Sequence, residues 1–445
     1  MEVEVKESTI VRPAEETPKH CLPTSDLDLL ARPVHVPIVY FYRRPNDCSN
    51  FFEAALLKEA LSKVLVPFYP VAGRFGRDEN GRIQINCNGD GALFVEAETR
   101  CAIDDLGDFT QNLLWLHPRV DYTKDMSSYP ILVTQVTRFK CGGVSLGFAL
   151  HHTFADGTSV FHFINAWAEM ARGFPISIPP FFDRTLLDVG VPASPTFHHI
   201  EYDPPPTLNI PSQSTEFQSN PNSISTSILK LSPDQVNTLK TMLKKDLGSD
   251  IKYSGFEILT AHIWRCLCKA RGLSDDQASK LHIPTSARSR LNPPLPSGYV
   301  GNVIFNATPV ALSGDIQSEP LKNTVERIHK AIKRMDDEYL KSALAYLKQQ
   351  QDLTVLRKGS RNMNCPNLNV SNISRISFFD ADFGWGRAIF VRPTPLVDGV
   401  IHILPSPNND ESLYVAINLE THHLRLFNKL FYEIFVQSEI VRSRY

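Results

Sequence analysis

The stretch from Pro175 to Ser223 limits what this chain can fold into more than any other. It contains "IPPFFDRTLL" and "YDPPPTLNIPSQSTEFQSNPNS", dense in proline, serine and asparagine. Proline fixes its own φ and removes a backbone donor, so such a run builds neither a helix nor a central strand. It reads as a long crossover, and it parts 445 residues into two halves with the same mixture of strands and helices. A single core rarely grows past roughly 250–300 residues. With 42% hydrophobic residues there is apolar surface enough for two. The expected architecture is α+β (mixed α/β) in two lobes: a domain over 1–185, a crossover over 186–225 and a second domain over 226–445. A ligand site between the lobes is the usual arrangement.

Periodicity fills in the halves. Residues 2–12 and 35–42 ("HVPIVYFY") read as strands. In "SNFFEAALLKEALSKVLVPF", Phe52, Leu56, Leu57, Leu61 and Leu65 recur at helical spacing, with Ser49 and Asn50 as cap candidates and Pro67 as the stop. "NGRIQINC" and "GALFVEAE" read as short strands, and "ILVTQVTRF" with "GGVSLGFAL" as a hairpin turning at Lys140–Gly143. Residues 158–173 predict a helix ending at Gly173, a position suited to a C-terminal cap glycine. Past the crossover, "SISTSILKLS" is a strand, "PDQVNTLKTMLKKD" and "SGFEILTAHIWRCLCKARG" are helices, and strands follow at 279–285, 303–312, 389–392, 399–404 and 412–419. Helical segments flank them at 319–350 and 420–438.

Charge excludes some partners. Lys and Arg number 46 against 48 Asp and Glu, which leaves no electrostatic footprint for nucleic acid or an anionic membrane. Eight cysteines lie scattered without a CxxC pair or a regular framework; reduced, mostly buried thiols in a reducing compartment are expected. No apolar run approaches the roughly 18 residues of a membrane helix, and "MEVEVKESTI" lacks the build of a secretion signal. A cytoplasmic protein that inserts in no membrane is the expectation.

Chemistry concentrates in "SLGFALHHTFADG", residues 145–157. His152 and Asp156 stand four apart, a spacing that would share one face of a helix and could suit a metal. The HExxH pattern of metalloproteases is absent, and no metal is expected. A serine hydrolase would need a nucleophile elbow; "GGVSLG" has a serine between glycines at the wrong spacing. A histidine satisfied in the core and an aspartate ending a turn before Gly157 would also account for the residues. The second distinctive stretch is "DADFGWG", residues 380–386. Protein kinases share the string DFG, but the HRD loop, the strand lysine and the glycine-rich phosphate loop are missing. A Gly-Trp-Gly turn is more naturally a rigid loop that packs an indole.

Taken together, HxxxDG at His152–Gly157 and DFGWG at Asp382–Gly386, in this order and at this separation, resemble the BAHD family of plant CoA-dependent acyltransferases. The resemblance runs over nearly the whole chain. Segments such as "VKESTIVRPAEETP", "FHFINAWAEMARG", "HIWRCLCKARGL", "GYVGNVIFNATP" and "ILPSPNNDESLYVAINL" are most similar to the hydroxycinnamoyl-CoA shikimate/quinate hydroxycinnamoyltransferases and to rosmarinic acid synthase.

That resemblance implies two chloramphenicol-acetyltransferase-like domains with the active site in a channel between them. It implies acyl-CoA as co-substrate, no permanently bound cofactor, small-molecule partners and a monomer. By resemblance His152 is the general base, while Asp156, Gly157 and Arg288 hold its loop through an Asp–Arg pair. Asp382, Phe383, Gly384, Trp385 and Gly386 support the architecture. The acceptor pocket maps to Val36, Ile38, Tyr40 and Arg375. The shikimate/quinate enzymes usually have Thr and Ser at the first two of these positions, so polyol contacts are lost while Arg375 is expected to anchor a carboxylate. Lys252, Ser254 and Arg290 are candidates for CoA by approximate position. Other acceptors (a hydroxyphenyllactate-type acid, an amine, an alkaloid alcohol) and a non-catalytic CoA-ester-binding homologue are the alternatives.

Overall fold

The computed structural model describes residues 2–46, 48–209, 224–245, 253–357 and 363–442. The N-terminal half runs β1 (Val3–Val11), β2 (Cys21–Pro23), α1 (Asp26–Leu30), β3 (His35–Tyr42), α2 (Ala54–Val64), β4 (Arg74–Arg77), β5 (Ile83–Asn86), β6 (Ala92–Thr99), β7 (Leu132–Phe139), β8 (Val144–His151) and α3 (Gly157–Ala171). The C-terminal half runs β9 (Ile224–Leu231), α4 (Pro233–Lys245), α5 (Gly255–Ala270), β10 (Ala278–Ser286), β11 (Ile304–Ala307), β12 (Val310–Leu312), α6 (Ser313–Ser318), α7 (Leu321–Lys333), α8 (Asp337–Lys348), β13 (Leu368–Asn372), β14 (Phe390–Pro393), β15 (Val400–Pro405), β16 (Leu413–Glu420) and α9 (Thr421–Arg442).

Two large mixed sheets organise these elements. The first has the order β1-β6-β7-β8-β3-β14; the second has β11-β10-β13-β15-β16-β9, with β12 also on β10. A small β2-β5-β4 sheet completes the N-terminal half. Chain order and sheet membership part company at β14. Its Val391 pairs with Tyr40 of β3, so a strand of the C-terminal half closes the edge of the N-terminal sheet. Phe378, Phe379, Ala381 and Phe383 follow it into the N-terminal core. The segment around 376–394 thus crosses the expected boundary between 1–185 and 226–445.

Strand β8 shows why the site is rigid. All eight of its residues are buried. On one side Leu146, Phe148 and Leu150 join the core under α2 and α3, where Trp167 donates to the Leu57 carbonyl at 3.1 Å. On the other side the chain at Leu116 comes so close that a Cβ at Gly147 would stand 1.9 Å from its carbonyl oxygen. Only glycine fits that approach. The hairpin turn predicted at Lys140–Gly143 forms, with Gly142 at φ +81°.

Several elements depart from their sequence reading. Helix α2 starts at Ala54, not at Ser49 or Asn50, because Phe52 adopts φ +49° and buries its ring beneath the turn. The 319–350 segment is two helices, the second capped by Asp336. The 303–312 strand breaks into β11 and β12. Strands β2, β4 and β13 and helix α1 carry too few residues to show a period. The cysteines are less buried than expected: Cys87, Cys266 and Cys268 are, Cys21 and Cys141 are exposed, and the other three lie between.

Candidate active site

His152 does not sit on a helix. It is the second residue of a tight turn between β8 and α3, closed by Phe154 N–H donating to the His151 carbonyl at 2.9 Å. Asp156, four residues on, is the N-cap of α3 and accepts from Ser159 N–H at 3.2 Å. A metal pair on one helix face is therefore not formed. Ser145, the serine of "GGVSLG", lies buried near the start of β8, the end away from His152.

The turn is held from two sides. On one, Arg288 donates to both oxygens of Asp156, Nη1 to Oδ2 at 2.7 Å and Nη2 to Oδ1 at 3.0 Å, the bidentate geometry that fixes a guanidinium in position. Val303 N–H adds a bond to Oδ2 at 2.9 Å, and Arg288 also reaches Ser159 Oγ and the Gly301 carbonyl. Gly157 follows the cap exposed, with no close neighbour where a Cβ would stand.

The other side was not read from the sequence. Asn302 donates from Nδ2 to the His152 carbonyl at 2.9 Å and to Asp28 Oδ1 at 2.9 Å. Arg184 pairs with Asp28 and donates to the Phe154 carbonyl at 3.2 Å. Asp28, Arg184 and Asn302 come from α1, the segment after α3 and the loop before β11, and all three are buried. Only the "SDLD" capping pattern at Ser25–Asp28 carries a local signal; Ser25 and Asp28 form a capping box.

His152 itself is half-buried. Its Nδ1 is enclosed without a described hydrogen-bond partner, and Nε2 is not among the enclosed nitrogens. The neighbouring His151 lies wholly inside, edge-on to His35 with ring centroids 5.1 Å apart. Burial holds both imidazoles below their ordinary pKa, His35 at about 4 and His151 well below the usual value. Both are neutral at cellular pH.

The remaining candidates fall in different places. Val36, Ile38 and Tyr40 alternate along β3, so they share one face; Ile38 and Tyr40 are buried and Val36 is half-buried. The Tyr40 hydroxyl is enclosed without a described partner. Arg375 is exposed and makes no described hydrogen bond or ion pair. It does not line the cavity of about 590 Å³ beside α1; Arg77, Arg184 and Arg357 do. His152 does not line that cavity either, but Arg184 joins it to the His152 turn. Arg357, which the sequence reading passed over, donates Nε to the Leu29 carbonyl at 2.8 Å.

Of the CoA candidates, Ser254 and Arg290 are both engaged in local hydrogen bonds. Ser254 is the N-cap of α5, locked in a capping box with Glu257. Arg290 donates to the Ile332 and Met335 carbonyls at the end of α7. Both side chains are committed to helix ends, where a hydroxyl and a guanidinium satisfy orphan backbone groups. Lys252 lies outside the described residues. Glu420, His422 and His423 approach one another within 4.8 Å, but they share no described hydrogen bond with the His152 network.

In the DFGWG turn, Asp382 Oδ1 accepts from Gly384 and Gly386 N–H at 2.8 and 2.9 Å. Both glycines have positive φ, +103° and +97°, which side-chain-bearing residues rarely adopt. Phe383 lies edge-on to Trp167 at 5.1 Å, and Trp385 packs on Phe52 at 4.9 Å.

Comparison with known proteins fits this geometry. The Transferase family model matches residues 1–434. Shikimate O-hydroxycinnamoyltransferase of Nicotiana tabacum is 52% identical over 97% of this chain and 100% of its own length. Rosmarinate synthase of Plectranthus scutellarioides is 45% identical over 98% and 100%. The crystal structure of vinorine synthase superposes with a TM-score of 0.72, covering 96% of each chain at 21% identity, and shows the shared fold. By this match over nearly its full length, the chain belongs to the Transferase family, that of the BAHD acyltransferases.

Proposed function

We propose that this protein transfers a hydroxycinnamoyl group, coumaroyl or caffeoyl, from a CoA thioester to the hydroxyl of a small acceptor such as shikimate or quinate. The observation that carries the reading is His152, fixed in a buried turn with Nδ1 enclosed and Nε2 not, in a chain 52% identical to a shikimate O-hydroxycinnamoyltransferase.

A hydroxyl is a weak nucleophile at neutral pH, and imidazole titrates near ~6.5, close enough to accept its proton as it attacks. His152 Nε2 takes the acceptor proton while the acceptor oxygen bonds to the thioester carbonyl carbon. The tetrahedral adduct collapses, the C–S bond breaks and the sulfur leaves with its electron pair. The imidazolium returns the proton to that sulfur, giving ester and free CoA thiol. No acyl-enzyme is formed, so no cysteine or serine nucleophile is required. Acyl-CoA is the co-substrate, and a cytosolic monomer is our reading of the charge balance and the scattered thiols.

The acceptor side rests on the resemblance for Val36, Ile38, Tyr40 and Arg375. A guanidinium suits a carboxylate, and two apolar side chains leave ring hydroxyls unpaired, at a cost of roughly 1–3 kcal/mol per group. A less hydroxylated or aromatic acid, the hydroxyphenyllactate type, is the second reading, favoured by Val36 and Ile38. The test is a panel of acyl-CoAs against shikimate, quinate, hydroxyphenyllactate, an amine and a simple alcohol, following thiol release and ester product. Thiol release that depends on a hydroxy-acid acceptor supports the proposal. Release without any acceptor, blocked by a serine-directed inhibitor, points to a hydrolase, and binding without release to a homologue that only holds CoA esters.

A further inference from the structure

Most backbone polar groups of residues 151–156 have a described partner. His152 N–H donates to the Val34 carbonyl at 2.9 Å and Thr153 N–H to His151 Nδ1 at 3.3 Å. The carbonyls of His151, His152 and Phe154 accept from Phe154 N–H, Asn302 Nδ2 and Arg184 Nη2. Of these partners, the one on the His152 residue from the far half of the chain is Asn302.

The chemistry of that amide is fully determined. A primary amide has two N–H donors. Asn302 spends one on the His152 carbonyl and one on Asp28 Oδ1. The flipped amide would press its oxygen against a carboxylate and a carbonyl, so Asp28 dictates which way Asn302 points. Asp28 is held in turn by Asn302 N–H at 2.9 Å, Ser25 N–H at 2.9 Å and Arg184 Nε at 3.3 Å. Asp28 is fully buried and Arg184 nearly so, where an unpaired charge is costly and neither partner can drift.

We propose that Asn302 is a positioning residue for His152, aimed by the buried Asp28–Arg184 pair, and that this second clamp sets the imidazole between the two halves. It acts beside the Asp156–Arg288 pair, which grips the turn four residues later and bonds the backbone on either side of Asn302, at Gly301 and Val303. The proposal rests on His152 being the base. A shift of about 1 Å at a reacting group can cost up to 10²-fold in rate. Loss of the amide should therefore appear in kcat and leave acyl-CoA affinity alone.

The experiment takes Asn302→Ala, with Asn302→Ser as the milder form in case the first folds poorly, each alone and combined with His152→Ala. Asn302→Ala should lower kcat by about 10-fold or more. The KM for acyl-CoA should stay within about twofold. In the His152→Ala background the same change should alter the residual rate by less than about twofold, because groups that act as a unit are not additive. The exchange Asp28→Asn with Asn302→Asp separates positioning from packing. It rebuilds a hydrogen bond between positions 28 and 302 but leaves no donor for the His152 carbonyl. Its Tm should recover relative to Asn302→Asp, which sets two carboxylates together, while kcat stays low. The proposal is overturned if either single Asn302 variant keeps kcat within about twofold of wild type, or if the exchange restores kcat along with Tm. If His152→Ala itself retains most of the rate, the base assignment fails and the positioning role goes with it.

Discussion

The turn at His152–Gly157 and the turn at Asp382–Gly386 look alike as strings: each joins an aspartate, a phenylalanine and glycine within a few residues. They are built on opposite plans. The first is tied to distant chain by charged and polar groups, through Arg288, Asn302 and Arg184. The second closes on itself, its aspartate bonding the amides of its own two glycines and its rings packing on Phe52 and Trp167. A turn that carries a reacting atom must be located relative to both halves. A turn that only seals a core needs shape. Being a family signature does not say which of these a stretch is for.

The largest effect should fall on the first turn alone. His152→Ala should reduce turnover by roughly 10²–10⁴-fold with acyl-CoA binding near normal, since a positioned base contributes that much. Trp385→Ala should leave kcat per folded molecule close to wild type. Steady-state rates normalised to folded protein by calorimetry check both. A Trp385 variant as slow as the His152 variant would collapse the distinction between the turns.

Stability should divide differently. Removing one partner of a buried ion pair costs about 3–5 kcal/mol, as does cutting a buried phenylalanine to alanine. Asp156→Asn, Arg288→Gln and Phe383→Ala should therefore all lower the urea midpoint. Only the first two should also reduce kcat, and a double-mutant cycle between Asp156 and Arg288 should show coupling. Strictly additive losses would mean that the pair does not act as one.

Acid should loosen the first turn before the second. His35 and His151 are buried neutral behind it, His35 with a pKa lowered from its ordinary value of 6.5 to about 4 by burial. The unfolded chain therefore binds more protons than the folded one between about pH 6.5 and 4. Stability from these groups is complete above pH 6.5 and is lost as pH falls toward 4. Amide exchange at residues 151–154 should speed up on going from pH 7 to pH 4.5, after correction for intrinsic rates, more than exchange at 382–386. Equal protection at both pH values would remove these histidines from the account.

The sequence showed the two-lobed class, the β7–β8 hairpin, α3 and the positions of both turns, because these are local patterns of period, proline and motif. Arg288 came with the resemblance. Asp28, Arg184 and Asn302 were invisible for a physical reason. Their partners lie 274 residues away between Asp28 and Asn302 and 150 between His152 and Asn302, and buried polar contacts at that separation leave no periodicity. Ser254 and Arg290 are the opposite case. Residues that look available for a phosphate were already spent on helix ends. Strand β14 reads as a short apolar run whichever sheet it joins, so its pairing with β3 could not be foreseen.

The smallest expected effect decides whether the DFGWG side touches the chemistry at all. Arg375 lies in the segment leading into that turn, exposed and without a described partner. Arg357 lies on the other side, held to Leu29 through Nε with its two terminal nitrogens free of described bonds, and it lines the 590 Å³ cavity. Either guanidinium can fork onto a carboxylate. The resemblance selects Arg375, so Arg375→Ala should lower kcat/KM for a hydroxy-acid acceptor and leave a neutral alcohol unchanged. The expected loss is about 10-fold, at the lower edge of the roughly 1.5–3 kcal/mol that a hydrogen bond to a charged group contributes. Val36→Thr with Ile38→Ser should, in the same assay, raise shikimate relative to hydroxyphenyllactate by several-fold, since the new hydroxyls can pair with a ring. If Arg357→Ala produces the acid-specific loss and Arg375→Ala does not, the acceptor is held wholly from the His152 side. The two turns then differ in function as completely as they differ in construction. If neither substitution distinguishes acid from alcohol, no carboxylate is read, and the acceptor is an alcohol or amine placed by the apolar face of β3 alone.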